Sequence, residues 1–519
     1  MSSLTRPILS PARRLLALAV LATAFLATGG VANASKTQKS IFQDDRMLLA
    51  YGTGVQNGAL DDMQSLGVDI VHADIGWYTL APNPNSSSAP KVDLTDPARY
   101  RASRWAILDS LVRGVQARGM RLLLTPTAPG PLWANGKACT KSERHKARLK
   151  GSCRPNASLY GKFVEALAIR YSGSYTDPKD PGAGPLPRVD LWSFWNEPNL
   201  GSWLYPSTVK RGKKRIPVSA RYYRDLVYAG GSALGKAGHA GDEVWLGETG
   251  PIGGGVTAVP PVQFYQALFC VDSRGHRLKG SAAKDLGCPK KVKRLPVTGD
   301  AHHAYTRATV GSLTARATGG NIPIAGISKL RSVLKQGARV GAITGSASAN
   351  IQITEFGVSS RPPAAKRYGV SLAKQAESIN LFEYLAWRQS SVRSVAQYQL
   401  EDDHLAAGSK RGRFVFQTGL RYQATRKQLL SGKLGTSKPS RAAYHVPLLV
   451  IDRGRNVTVW GGVRGHKTGS VQIVNSGKVV KTVSLHNRYF STTVRKRKGA
   501  WQLRFGTLRS RVAKPIKVR

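Results

Sequence analysis

Between residues 47 and 400 one pattern recurs eight times: a short apolar run followed by a stretch of mixed polarity. The apolar runs fall at 47–51, 68–75, 121–125, 189–195, 244–248, 296–305, 350–355 and 392–400. Such short runs, rich in Val, Ile and Leu, read as buried strands. In the stretch from 105 to 117, Trp105, Leu108, Leu111, Val112 and Val115 share one helical face. The stretches 159–171, 220–234, 262–269, 327–334 and 371–387 also read as helices. Strands alternating with helices build a parallel sheet. Eight of them predict an α/β fold closed as a (β/α)8 TIM barrel rather than an open doubly wound sheet. No Gly-rich phosphate loop follows the first run, which counts against a dinucleotide enzyme.

Strand interiors are apolar, while Glu, His, Tyr and Trp collect at the C-terminal ends, the face on which a barrel carries its chemistry. Two of these ends stand out. One is Leu191-Trp-Ser-Phe-Trp-Asn196-Glu197-Pro198-Asn199 and the other Ile351-Gln-Ile-Thr-Glu355-Phe356-Gly357. Glycosidic bonds are commonly cut by two carboxylates approaching one sugar from different sides. Glu197 is the candidate general acid, its pKa raised by partial burial beneath tryptophans. Glu355 is the candidate nucleophile, expected in the opposite environment, ionised and hydrogen-bonded. Asn196 is placed to hold a sugar hydroxyl, and His303 and Tyr305 to donate toward Glu355. The structural alternatives are a helix-capping turn carboxylate for Glu197 and a solvated loop residue for Glu355.

The Trp-Asn-Glu-Pro-Asn and Thr-Glu-Phe-Gly segments resemble the acid/base and nucleophile signatures of glycoside hydrolase clan A, nearest in texture to families 5 and 39. The resemblance spans roughly residues 45 to 447. It implies a retaining enzyme on a (β/α)8 barrel, with Glu197 as acid/base on strand four, Asn196 as the 2-hydroxyl contact and Glu355 as nucleophile on strand seven. Tyr305, in His302-His303-Ala304-Tyr305, resembles the strand-six residue flanking the nucleophile. The sequence departs from the clan twice. Where the clan commonly has a strand-two arginine that orients the nucleophile, this chain offers His72, whose charge is conditional. Where the clan often has a strand-eight tryptophan platform, this chain offers Tyr398. Trp77, Trp133 and Trp203 fall near the same face and read either as sugar platforms or as core packing, whereas Trp192 and Trp195 read as core. Glu248 and Asp74 read as partners of nearby Arg or His. No metal or organic cofactor is expected.

Charge is the anomaly of the composition: 78 basic residues against 29 acidic give +49. Such a charge concentrates polyanions. An acidic polysaccharide or an anionic cell envelope is one reading, and a solvated basic surface without a specific partner is the other. No nucleic-acid motif with interleaved aromatics is present, so no specific nucleic acid is expected. Residues 1–34 read as a secretion signal peptide: Arg13-Arg14, an apolar stretch from 15 to 27, then Ala32-Asn33-Ala34. No later segment is apolar enough to span a membrane, so a secreted protein without a transmembrane segment is expected once the signal is removed.

Four cysteines allow three pairings. The local ones, Cys139 with Cys153 and Cys270 with Cys288, are favoured because each brackets a polar loop. Neither spacing suits zinc. The barrel is assigned to 35–446. Residues 447–519 change texture to short strands with Gly, Asn and Ser turns and hold 17 basic residues against Asp452 alone. They read as a basic β-sandwich accessory domain, either binding a surface or glycan or packing on the barrel. The functional expectation is a secreted retaining glycosidase acting on a poly- or oligosaccharide. The alternative is a catalytically inactive glycan- or cell-wall-binding protein on the same barrel.

Overall fold

The computed structural model describes residues 35, 37–147, 152–306, 311–362, 364–365, 367–404 and 415–518. The proposed signal peptide lies outside the described residues. Eight parallel strands close into a barrel. They are β1 (Lys39–Gln43), β2 (Ile70–Gly76), β3 (Arg121–Thr127), β4 (Leu191–Ser193), β5 (Glu243–Thr249), β6 (Gly299–His303), β7 (Ile351–Glu355) and β8 (Val392–Tyr398). Each pairs with its sequence neighbours, and β1 pairs with β8 to close the ring. Inward side chains Ile41, Ile70, Leu123, Leu191, Trp245, Ala301 and Ala396, from seven strands, form an apolar plug inside it.

The helices packed outside include α1 (Thr53–Ser65), α2 (Ala102–Ala117), α3 (Ala157–Arg170), α4 (Ser219–Lys236), α5 (Pro261–Phe269), α6 (Ile327–Arg339) and α7 (Leu372–Trp387). In α2 the buried face comprises Trp105, Leu108, Leu111, Val112 and Val115, the residues that the helical period selects.

One element corrects the sequence reading. Residues 47–51, expected as the first strand, overlap a helix at Asp45–Leu49, and the first strand lies earlier, at Lys39–Gln43. Asp44 turns the chain there: its carboxylate accepts from Met47 N at 3.2 Å, capping the helix, and from Leu400 N at 2.9 Å, tying it to the end of β8.

Beyond α8 (Pro439–His445) the chain forms two antiparallel sheets. One comprises β9 (Leu448–Arg453), β10 (Asn456–Gly462) and β13 (Tyr489–Arg495). The other comprises β11 (Ser470–Asn475), β12 (Lys478–Ser484), β14 (Trp501–Phe505) and β15 (Leu508–Arg509). Leu448, Val450, Val457 and Val459 of the first sheet join Val471, Ile473, Trp501 and Leu503 of the second in one apolar cluster. The alternate residues Leu449, Ile451 and Trp460 turn the other way, onto Tyr384 and Trp387 of α7. The first sheet is therefore covered on both faces.

Polar anchors fix this junction. Arg464 pairs with Glu383 at 2.8 Å, both 2% exposed, and Tyr489 Oη donates to the same carboxylate at 2.6 Å. Arg488 grips Asp69, just before β2, through two bonds of 2.7 and 2.8 Å. Asp69 marks the N-terminal end of the barrel strands, opposite the face that carries chemistry. Cys139–Cys153 and Cys270–Cys288 are disulfide-bonded, with Cα separations of 6.0 and 5.8 Å.

Candidate active site

At the C-terminal ends of the strands a chain of ionisable groups crosses the barrel mouth. Its centre is His303, at the end of β6. A register shift after His302 interrupts the β6–β7 pairing, and another after Ala301 interrupts the β6–β5 pairing. Such bulges re-aim side chains. Here they give two adjacent histidines separate jobs. His302 Nδ1 meets Thr249 Oγ1 at 2.8 Å and Nε2 meets Ile322 O at 2.7 Å. Burial lowers its pKa to about 3, so it stays neutral. His303 instead sits among carboxylates: Nδ1 lies 3.1 Å from Glu197 Oε1 and 3.4 Å from Glu355 Oε2, and Nε2 lies 3.7 Å from Glu248 Oε2. Burial opposes its charge, yet Glu355, Glu197 and Glu248 raise its pKa well above the usual value.

Glu197 and Glu355 thus come from strands four and seven to one imidazole nitrogen. The two contacting oxygens are at most about 6.5 Å apart, the sum of their distances to it. Glu355 also accepts from Tyr305 Oη at 3.1 Å. Their side chains are 17% and 11% exposed, so both reach solvent at the mouth. Glu355 departs from the expected environment. Burial raises its pKa to about 7, the nearby charges of Glu197 and Glu248 add to the rise, and His303 and His72 oppose it. It is neither fully ionised at neutral pH nor freely solvated.

Backbone geometry holds the pair. Trp195, Glu197, Glu248 and Gln399 all adopt left-handed φ values, of 69°, 41°, 56° and 72°. These non-glycine residues lie at or just beyond the ends of β4, β5 and β8, and each costs about 1–3 kcal/mol. Glu197 N donates to Glu248 O at 3.0 Å, joining two of these turns. Gly250 leaves the space that Glu197 fills: a Cβ there would stand 2.9 Å from Glu197 Oε1. Asn196 N donates to Thr127 Oγ1 at 2.8 Å, and its buried Oδ1 has no partner among the described residues.

His72 does not take the arginine's expected place beside the nucleophile. It is fully buried, so it cannot meet a sugar, and its Nε2 lies 3.0 Å from Thr125 Oγ1, 3.4 Å from Glu248 Oε1 and 3.7 Å from Asp74 Oδ1. The contacts to Glu355 come from His303 and Tyr305 instead. Glu248 is the residue whose importance the sequence hid. Fully buried, it accepts from Thr125 Oγ1 at 2.9 Å and lies between His72 and His303, whose charges hold its carboxyl well below the usual range despite burial. The reading of Glu248 and Asp74 as histidine partners agrees with these contacts. His72, Asp74 and Glu248 also present ligand atoms within 4.8 Å of one another. The two histidines already supply the positive charge that a cation would bring there.

The tryptophans divide. Trp77 is 0% exposed, stacked on Phe163 at 5.7 Å and edge-on to Trp133 and Tyr160, so it is packing rather than a platform. Trp133 is buried with it, and its Nε1 donates to Pro82 O at 3.2 Å. Trp203 is partly buried against the same core. The aromatic surface near Glu355 is made instead by Tyr305, Tyr398 and Phe416. Tyr398 lies edge-on to Tyr305 at 6.4 Å and to Phe416 at 5.4 Å, and both Tyr398 and Phe416 are part-exposed. No strand-length apolar run or motif surrounds Phe416 in the sequence, so nothing there singles it out.

No protein-family model matches the chain, and no curated protein does. Among solved structures it is similar to a glucosidase from Croceicoccus marinus, at 11% identity and a TM-score of 0.47, over 90% of this chain and 95% of that one. It is also similar to an endo-beta-1,4-mannanase from Thermotoga petrophila, at 9% identity and a TM-score of 0.40, over 94% and 99%. A GH30 endoxylanase from Clostridium papyrosolvens matches at 10% identity and a TM-score of 0.42, over 90% and 95%. Identities and superpositions at this level do not assign the chain to a family.

Proposed function

We propose that the chain is a secreted retaining glycoside hydrolase of the clan A type, acting on a poly- or oligosaccharide. The observation that carries this reading is the convergence of Glu197 and Glu355 on His303 Nδ1 at 3.1 and 3.4 Å. Retaining enzymes hold their carboxyl groups about 5–5.5 Å apart, and inverting ones about 6.5–9.5 Å. The facing oxygens lie at most about 6.5 Å apart, a bound compatible with the retaining range. In this account Glu355 attacks the anomeric carbon while Glu197 protonates the departing oxygen, and Glu197 then activates the water that releases the glycosyl-enzyme. Tyr305 and His303 hold Glu355 in line and stabilise its ionised form. Asn196 Oδ1 accepts from a sugar hydroxyl, and Tyr398 with Phe416 offers an apolar wall to the ring. The two disulfides, and the lack among described residues of a helix long and apolar enough to cross a membrane, are compatible with export. Glu355→Ala tests the assignment. Turnover of the wild-type substrate is expected to vanish while circular dichroism and the unfolding midpoint stay those of a folded barrel. Undiminished cleavage by this variant sinks the assignment.

A further inference from the structure

Among the described residues of 447–518, the basic side chains are not spread evenly. Arg464 and Arg488 are buried and paired with the barrel. At the other end of the same sheet, the β9–β10 turn and the loop after β13 border an open groove of about 710 Å³ lined by Gly454, Arg455, Asn456, Arg495, Lys496, Arg497 and Lys498. Five of these seven are cations, all exposed. The acid beside them, Asp452, is held by Lys496 Nζ at 2.8 Å and by Gly454 N at 3.0 Å. Among the described residues, Arg455, Arg495, Arg497 and Lys498 make no ion pair. Four of the five cations thus stand without a counter-charge among the described residues, at a cost in self-repulsion that a bound polyanion removes.

Position and lining narrow the partner. β13 runs from Tyr489, anchored on Glu383, to Arg495 at the groove, which places the groove about 20 Å from the anchor along the strand. The anchors Asp69 and Glu383 belong to the barrel's N-terminal end and to α7, so the groove is separate from the candidate active site. No aromatic side chain lines it, so it offers no stacking surface for unpaired bases or for neutral sugar rings. What remains is recognition of regularly spaced anions on a chain. We infer that this distal groove binds an anionic polysaccharide, one bearing carboxylate or phosphate groups, and tethers the enzyme to it. The choice of a glycan rests on the glycosidase reading of the barrel; the polyanion site itself does not.

The test uses the full chain and measures Kd against polygalacturonate, poly(glycerol phosphate), a neutral glucan and double-stranded DNA over a range of salt. The two charged polymers separate carboxylate from phosphate recognition. Wild type is expected to hold at least one of them, and not the glucan. Arg455→Glu combined with Arg497→Glu is expected to weaken that binding at least about tenfold and to flatten the salt dependence by about two charges. Lys279→Glu with Lys284→Glu, an equal charge change on exposed residues elsewhere, is expected to leave it within about twofold, which long-range screening by salt permits. Equal losses in both double variants, no loss in the groove variant, absence of wild-type binding to either charged glycan, or tighter binding of DNA overturns the inference. Turnover of a small aryl glycoside is read in parallel. Polymer binding without turnover faults the barrel reading and leaves the groove standing.

Discussion

Replacing His303 by Gln removes the one positive charge that stands between Glu197 and Glu355, and the consequence is calculable. The lost charge lies 3.4 Å from Glu355 Oε2. A unit charge at about 4 Å is worth about 1 kcal/mol in water and about 4 kcal/mol at an effective dielectric of 20. At 1.36 kcal/mol per unit, the Glu355 pKa rises by roughly one to three units. It starts at about 7, already raised by burial. A nucleophile must be ionised, so kcat/KM climbs as pH rises through this value, and the acid limb follows the free enzyme. The pair titrates as a unit, so the limb reports an apparent value. The variant's acid limb is expected at least about one pH unit higher, with kcat/KM at pH 6 down about tenfold beyond any pH-independent loss. The assay is a kcat/KM profile on an activated aryl glycoside from about pH 5 to about pH 11, which spans the acid limb of wild type and variant. A lower plateau with an unmoved acid limb refutes the electrostatic role of His303.

Two further outcomes follow from the same geometry. Gly250→Ala places a Cβ against Glu197 Oε1, and the displaced acid/base is expected to lower kcat/KM about a hundredfold with the fold retained; a variant as active as wild type shows that Glu197 does not need that space. Glu248→Gln leaves the two buried histidines short of a counter-charge and is expected to cost about 3–5 kcal/mol in urea unfolding at pH 7. The Glu248 pKa is lowered in the folded state, so its contribution is present above the unfolded value and lost as pH falls. The gap between wild type and variant therefore narrows by up to about 1.4 kcal/mol per pH unit below about 4.5, and a gap that stays constant in acid contradicts this account.

Much of this architecture was legible because the two dominant periods coincide with burial. Strand runs such as 121–125 and 350–355 carry their Leu and Ile residues into buried strands, and α2 buries the residues spaced for it. The first strand was misplaced because Lys39–Gln43 is short and mixed in character, whereas Met47, Leu48 and Leu49 imitate a strand until Asp44 caps them into a helix. β9 carries no polar–apolar alternation over Leu448–Ile451, because both of its faces are buried. The two glutamates announced themselves by position at strand ends. The protonation pattern did not, since it depends on a bulge that turns His303 and not His302 toward them, and on Glu248 crossing from β5 to meet both His303 and His72. Trp77 was open to both readings, since its place after β2 suits a platform as well as packing; Phe163 of α3 covers its face and decides for packing.

The most direct test of the central claim is to incubate the protein with activated 2-deoxy-2-fluoroglycosides of several sugars and to locate any covalent mass by peptide sequencing. The account predicts one glycosyl residue per chain, on Glu355. Covalent mass on any other carboxylate, or active turnover of the parent glycosides with no covalent species formed, contradicts it.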